Sequence, residues 1–206
     1  MSRFVIAGTD TDIGKTVFAA ALTQATGAYY WKPVQAGTEG GTDSERVRNL
    51  GVPIDHILPE AYRLATPCSP HQAAAIDGVE IDRAHLTPPA QPADLVIEGA
   101  GGVLVPVTPQ LLYADLFAEW QLPVILVAST GLGTINHSLL SIEALRYRGV
   151  PIHGIAFTGA ENVETQSTIA RIGDVDILGC LPHLPDLNAA ALQRAFAANF
   201  QLDDFA

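Results

Sequence analysis

The sequence predicts an α/β fold: a mainly parallel sheet covered by helices. Three observations lead there. Short runs rich in Val, Ile, Leu and Ala recur between helix-like stretches, as expected of strands buried on both faces. The clearest run, Pro123-Val124-Ile125-Leu126-Val127-Ala128, feeds the loop Ser129-Thr130-Gly131-Leu132-Gly133-Thr134, which opens a further helix. The N-terminal run Phe4-Val5-Ile6-Ala7 likewise feeds Gly8-Thr9-Asp10-Thr11-Asp12-Ile13-Gly14-Lys15-Thr16, and a helix over Val17 to Ala25 follows. A chain of 206 residues suits one large domain over residues 1–206 with an ample core.

The strand, glycine loop and helix at residues 4–25 form the context that makes a phosphate-binding motif credible. Backbone N–H groups around Gly14 and the helix N-terminus can point at a phosphate, and the helix dipole favours its charge. Lys15 is placed to reach the terminal phosphates and Thr16 to offer its hydroxyl to Mg2+. Thr9 stands where the plain G-x-x-x-x-G-K-[ST] pattern has glycine, and the glycine falls one residue earlier, at Gly8.

Ala28 to Trp31 reads as a second buried strand ended by Lys32-Pro33, because proline cannot continue a central strand. Gln35 to Asp43 reads as a flexible polar loop at a strand's C-terminal end, where α/β proteins bind ligands. Asp43-Ser44 is expected to cap a helix reaching about Asn49. A short strand near Tyr62-Arg63-Leu64 and a helix from Ser69-Pro70 follow, then helical propensity over Asp82 to Leu86 and a proline-rich link, 88–92. Asp94 to Ile97 is a strand that delivers Glu98 to its tip, beside Gly99-Ala100-Gly101-Gly102; a carboxylate there can hold Mg2+. Val103 to Val107 is extended, and Leu111 to Trp120 helical. The loop after Ala128 offers a second anion site and opens a helix over Ile135 to Arg148. Ile152 to Phe157 and Asp176 to Leu181 are strands, Glu164 to Ile172 and Asn188 to Asn199 helices.

A formal charge of −11 leaves no basic field for nucleic acid or an anionic membrane surface. Met1-Ser2-Arg3 runs straight into the first strand, and the apolar runs are too short to span a membrane, so a soluble cytoplasmic protein is expected. Cys68 and Cys180 lack metal-ligand spacing and read as reduced, buried thiols. The six histidines show no zinc spacing, and no G-x-S-x-G nucleophile elbow occurs. Only two of the eleven basic residues are lysines, Lys15 in the glycine loop and Lys32 at the second strand's exit. An ammonium and a guanidinium are not interchangeable at a phosphate, so this selective use marks Lys32 as functional.

With these motifs assembled, the chain resembles the dethiobiotin synthetases, ATP-dependent ligases of biotin synthesis. The resemblance rests on residues 8–16, on Lys32-Pro33-Val34-Gln35 and on Glu98-Gly99-Ala100-Gly101-Gly102, with support from 66–71 and 133–137. It implies a single-domain, three-layer P-loop NTPase fold with about seven strands, and a homodimer. It also implies a reaction joining 7,8-diaminopelargonic acid, CO2 and ATP into a cyclic urea, with Mg2+ as cofactor. Carried over by motif, Lys15 and Lys32 are the catalytic residues. Thr16, Asp43 and Glu98 would hold Mg2+. Asp12, Ile13, Gly14, Lys15, Thr16, Val17, Asp43, Glu98, Gly99, Ala100, Gly101, Thr158, Gly159, Leu181, Pro182 and His183 would bind ATP. Thr11, Lys32, Ala36, Thr38, Gly133, Thr134, Ile135 and Asn136 would bind substrate, the last four taking its far carboxylate across the dimer interface. Ala36 stands where the family carries a hydroxyl residue, with Thr38 the nearest substitute. Thr158 stands where an asparagine reads the adenine edge, which predicts that base recognition is either looser than in relatives or rests on the backbone near 181–183.

Two other kinds of protein share the first motif. Partition and division-site ATPases carry an extra lysine early in the loop, where this chain has Asp10, and often add a basic amphipathic tail, where it has Leu202-Asp203-Asp204-Phe205-Ala206. Other amidoligases need a glutamine-hydrolysing domain that the sequence lacks. A regulatory homologue that binds nucleotide without turning it over would not require both lysines and both candidate metal carboxylates.

Overall fold

The computed structural model describes residues 1–90 and 93–206. Its elements run β1 (Arg3–Gly8), α1 (Lys15–Thr26), β2 (Tyr29–Trp31), β3 (Val34–Ala36), α2 (Asp43–Asn49), β4 (Ile57–Leu58), β5 (Tyr62–Leu64) and α3 (Pro70–Asp77). They continue with β6 (Leu95–Gly102), β7 (Pro106–Thr108), β8 (Leu111–Leu112), α4 (Tyr113–Trp120), β9 (Val124–Ser129), α5 (Thr134–Tyr147), β10 (Ile152–Thr158), α6 (Val163–Gly173), β11 (Ile177–Leu181) and α7 (Ala189–Asn199). The main sheet has seven strands in the order β11-β10-β9-β1-β6-β2-β4, and every pairing is parallel.

Period-two alternation builds the two cores. Along β1, Phe4 and Ile6 face one side and Val5 and Ala7 the other; Val96 and Leu95/Ile97 divide the same way on β6. One core packs α1, α2 and α7 on the sheet, and the other packs α3 to α6. Side chains such as Ile6, Ile97 and Leu126 are fully buried. Each contributes roughly 1.5–3 kcal/mol, so a one-residue register slip, which would exchange the faces, is strongly disfavoured.

The structure departs from the sequence reading at several places. The strand begun at Leu95 does not stop at Ile97 but runs to Gly102, so Glu98 lies within β6. Its register with β1 breaks just beyond: Ile6 pairs with Glu98 and Gly8 with Gly102. Gly101 makes the break with a positive φ of 64°. The polar loop after Lys32 begins as β3, paired in parallel with β5. Thr42, not Asp43, caps α2, in a capping box with Glu45, which frees the Asp43 side chain for the cleft. Residues 111–112 form β8 with β7 before α4 starts, and 103–105 turn rather than extend. The helical propensity near Leu86 yields a 3-10 turn, Arg83–Leu86. Of the proline-rich link, Gln91 and Pro92 lie outside the described residues. No helix among the described residues is long and apolar enough to cross a membrane.

Candidate active site

The site forms at the C-terminal ends of β1, β2 and β6, on the face that α1 covers. Strand parity explains its composition. Val96 faces α1, so Glu98, two residues on, faces it too. Tyr30 pairs with Val96 across β2 and β6 and shares that face, and Lys32 follows two residues later. Three polar groups, Glu98, Tyr30 and Lys32, thus meet in a buried place that only their pairing makes tolerable.

Lys32 is the hub. Its Nζ lies 2.8 Å from Asp43 Oδ2 and 2.9 Å from Glu98 Oε1, and it donates to the Gly99 carbonyl at 3.0 Å. The Thr16 hydroxyl sits against the same two carboxylates, 3.0 Å from Asp43 Oδ1 and 2.8 Å from Glu98 Oε1. Tyr30 donates its hydroxyl to Glu98 Oε2 at 2.8 Å. Burial pushes the Lys32 ammonium down, but the Glu98 and Asp43 carboxylates outweigh it and hold the ammonium above its ordinary range. Burial likewise opposes the Asp43 charge, and Lys32 with the Thr16 hydrogen bond holds this carboxyl below its ordinary range.

Lys15 occupies the glycine loop itself. Its Nζ donates to the Asp10 carbonyl at 2.5 Å, and its pKa is lowered to about 8 by burial and by the nearby Lys32 charge. The position of Gly8 now has a cause: a Cβ there would fall 2.6 Å from Lys15 Cδ and 2.9 Å from the Asp10 carbonyl. The side chain of Lys15 lies across that residue, whereas Thr9 has room for its own. Asp12 at φ 54° and Gly14 at φ 92° carry the loop into α1.

A cleft of about 760 Å³ opens over these groups. Thr11, Asp12, Gly14, Lys15, Thr16, Val17, Lys32, Ala36, Asp43, Glu98, Ala100 and Gly101 of the predicted set line it. A neighbouring cavity of about 680 Å³ is lined by Ile13, Thr158, Gly159, Leu181, Pro182 and His183, and shares Asp12, Gly14 and Val17 with the first. Gly99 contributes its carbonyl to Lys32 from beneath the cleft. Thr38 lines neither cavity. Gly133, Thr134, Ile135 and Asn136 also lie outside both, at the start of α5, where Thr134 turns its hydroxyl back to the Ser129 carbonyl at 2.5 Å. Within one chain, then, the start of α5 and the lysine cleft are separate.

Several groups escaped the sequence reading. Gln35 is buried and accepts from the Asp43 backbone N–H at 3.0 Å, fixing the start of α2. Arg46 lines both cavities. Asp77 at the end of α3 receives the Thr66 hydroxyl at 2.6 Å and the Ala65 N–H at 2.5 Å, holding the loop whose Pro67, Cys68, Ser69 and Pro70 wall the cleft. Arg46 and Asp77 have no motif, and Gln35 stands in the Lys32-Pro33-Val34-Gln35 stretch without a role assigned to it; each depends on a contact that only the tertiary fold creates. Cys68 and Cys180 are free but partly exposed, not buried as the sequence suggested; Cys68 lines the first cleft, and the Cys180 thiol lies 3.6 Å from the Gly159 carbonyl.

Among the described residues no cluster of three His, Cys, Asp or Glu side chains could hold a metal unaided. What the cleft offers is two carboxylates, each within hydrogen-bond reach of one hydroxyl. That donor set fits Mg2+, which takes one or two carboxylates and fills its octahedron with phosphate oxygens and water.

A parallel sheet whose first strand feeds a lysine-bearing glycine loop at the head of a helix, with acidic and basic groups facing that loop, defines the P-loop class of nucleotide-binding proteins. The model of the AAA-domain family matches residues 2–191. The chain is similar to the ATP-dependent dethiobiotin synthetase of Novosphingobium aromaticivorans, 59% identical over 208 residues with all of both chains covered. That of Agrobacterium fabrum is 60% identical over 204 residues, covering 98% of this chain and 96% of the other. In fold it is similar to the Pyrococcus furiosus cell division ATPase MinD (TM-score 0.53, 13% identity, 99% of this chain and 98% of that one). The Aquifex aeolicus MinC:MinD cell division protein complex gives 0.54 at 14% identity, over 95% of this chain and 86% of that one. At such identities these two speak for the fold alone. The full-length relatives decide the rest: the chain belongs to the ATP-dependent dethiobiotin synthetase family.

Proposed function

We propose that this chain, acting as one domain and as a homodimer, closes 7,8-diaminopelargonic acid with CO2 into the cyclic urea dethiobiotin, converting ATP to ADP and phosphate. The single observation that carries the reading is Lys32 held between Asp43 and Glu98, with Thr16 touching the same two carboxylates at the mouth of the glycine loop. Nucleotide-loop chemistry and a second, buried ammonium therefore share one cleft.

The chemistry demands such a pairing. An amine captures CO2 as a carbamate, whose oxygen is a poor leaving group. Transfer of the γ-phosphoryl group makes that oxygen part of a carbamic-phosphoric mixed anhydride. The neighbouring amine then attacks the carbonyl carbon, the C–O bond to phosphate breaks, and the ring closes. Little covalent work falls to the protein; it aligns the groups and meets the developing charge. Lys15 leaves the Asp10 carbonyl for the β- and γ-phosphates. Lys32, with all three N–H donors engaged, gives up one of them to the carbamate and the phosphoryl group in flight. Thr16, Asp43 and Glu98 would hold Mg2+, which would supply neutralisation of the negative charge on the nucleotide's phosphates. Ala36 and Thr11 border the space left for the diamine, and the cavity at Thr158 to His183 takes the base. The start of α5, with Gly133 to Asn136, meets the substrate's far carboxylate only from a second copy, which is the reason to expect a dimer.

The test is product identity. Incubation with the diamine, MgATP and carbon-13-labelled bicarbonate is expected to yield a cyclic urea carrying one labelled carbon by mass spectrometry. Recovery of unchanged diamine while ATP is consumed would contradict the proposal.

A further inference from the structure

We infer that Tyr30 is a positioning residue for the metal-binding carboxylate: its buried phenol fixes Glu98 so that one oxygen alone faces the nucleotide loop. The inference rests on the proposed role of Glu98 as a Mg2+ ligand. The two Glu98 oxygens are not equivalent. Oε1 receives Thr16 at 2.8 Å and Lys32 at 2.9 Å, on the side of the cleft, whereas among the described residues Oε2 receives only Tyr30, at 2.8 Å. Tyr30 is fully buried, and β2 pairing with β6 sets its ring beside the carboxylate. A buried carboxylate held at one oxygen cannot turn to offer both, and a small octahedral cation accepts one oxygen of it. Without the phenol, Oε2 is a buried anionic acceptor with no donor. The carboxylate then rotates toward Lys32 and draws that ammonium away from Asp43. Groups that orient a metal's ligands govern affinity nearly as strongly as the ligands do.

A core tyrosine that merely took the nearest acceptor would make the same hydrogen bond, so the test needs a readout that packing does not move. Mn2+, a paramagnetic probe, is titrated by EPR in the presence of a non-hydrolysable ATP analogue, on wild type, Tyr30→Phe and Glu98→Gln. Tyr30→Phe is expected to weaken Mn2+ binding by about 10- to 100-fold, with the analogue's own affinity in metal-free buffer unchanged. Mn2+ affinity equal to wild type in Tyr30→Phe, with binding lost in Glu98→Gln, would overturn the positioning role and leave Tyr30 a packing residue. Wild-type affinity in Glu98→Gln would instead contradict the ligand reading, whatever Tyr30 does. Should Tyr30→Phe not fold, 3-fluorotyrosine at position 30 answers the same question by fluorine NMR. The resonance is expected to shift when Mg2+ joins the bound analogue, and a resonance indifferent to Mg2+ would overturn the inference.

Discussion

Thr158 donates its hydroxyl to the Ile13 carbonyl at 2.5 Å, tying the tip of β10 to the nucleotide loop. The neighbouring Gly159 has no side chain, and its N–H is spent on the Leu181 carbonyl at 2.9 Å. Neither residue retains the paired donor and acceptor that would read an adenine edge. Base selectivity should therefore be weak: kcat/KM for ATP is expected to exceed those for CTP and GTP by less than about a hundredfold. A larger ratio would show that other groups of that cavity read the base.

Gly8 lies under the aliphatic part of Lys15, and no methyl group fits between them. Gly8→Ala should cost about 1–3 kcal/mol of stability through overpacking, and it should weaken nucleotide binding because Lys15 is displaced. Thermal denaturation and nucleotide titration check both halves. A variant with unchanged Tm and affinity would show that the loop has slack that the geometry does not display.

The two lysines should separate in kinetics. Lys15→Ala is expected to abolish turnover through lost triphosphate binding, whereas Lys32→Ala should lower kcat by roughly a hundredfold or more while largely sparing nucleotide affinity. Lys32→Ala also strands the buried Glu98 and the partly buried Asp43, so a clear fall in Tm is expected alongside. Equal loss of ATP affinity in both variants would show that their roles overlap.

Lys15 makes nucleotide binding depend on pH. Burial and the Lys32 charge lower its pKa to about 8, while bound phosphates favour the charged form and raise it again. Below about pH 8 the ammonium is charged both free and bound, so affinity is flat. Above it the free protein has lost the proton and must regain it on binding, so affinity falls, approaching about tenfold per pH unit. Calorimetry at pH 9 in buffers of different ionisation enthalpy should reveal the proton uptake. Lys15→Met should abolish the uptake, and its persistence there would assign it to another group.

Legibility followed the range of the interactions. The glycine loop, Lys32 and Glu98 stand out in the sequence because strand, turn and helix signals within a few residues fix them. Asp43 could be read as near a helix start, but its freedom to reach Lys32 depends on Thr42 taking the cap. Tyr30 and Asp77 carry no local signal, and the motif that contains Gln35 does not show its contact with Asp43, since each acts on a partner brought close by strand pairing or loop packing. The pairing of β3 with β5 was hidden for the same reason: three-residue strands have too little periodicity to announce themselves. Thr38 is the hydroxyl nearest to the place where the resemblance sets one, and it lines neither cavity.

If Lys15 and Lys32 serve one reaction, ATP is spent only when a diamine is present to be closed. The direct measurement is phosphate release from MgATP with bicarbonate, with and without 7,8-diaminopelargonic acid. Release should depend strongly on the diamine, with one phosphate formed per cyclic urea. Steady release indifferent to the diamine would contradict the account and point to a nucleotide switch built on the same fold.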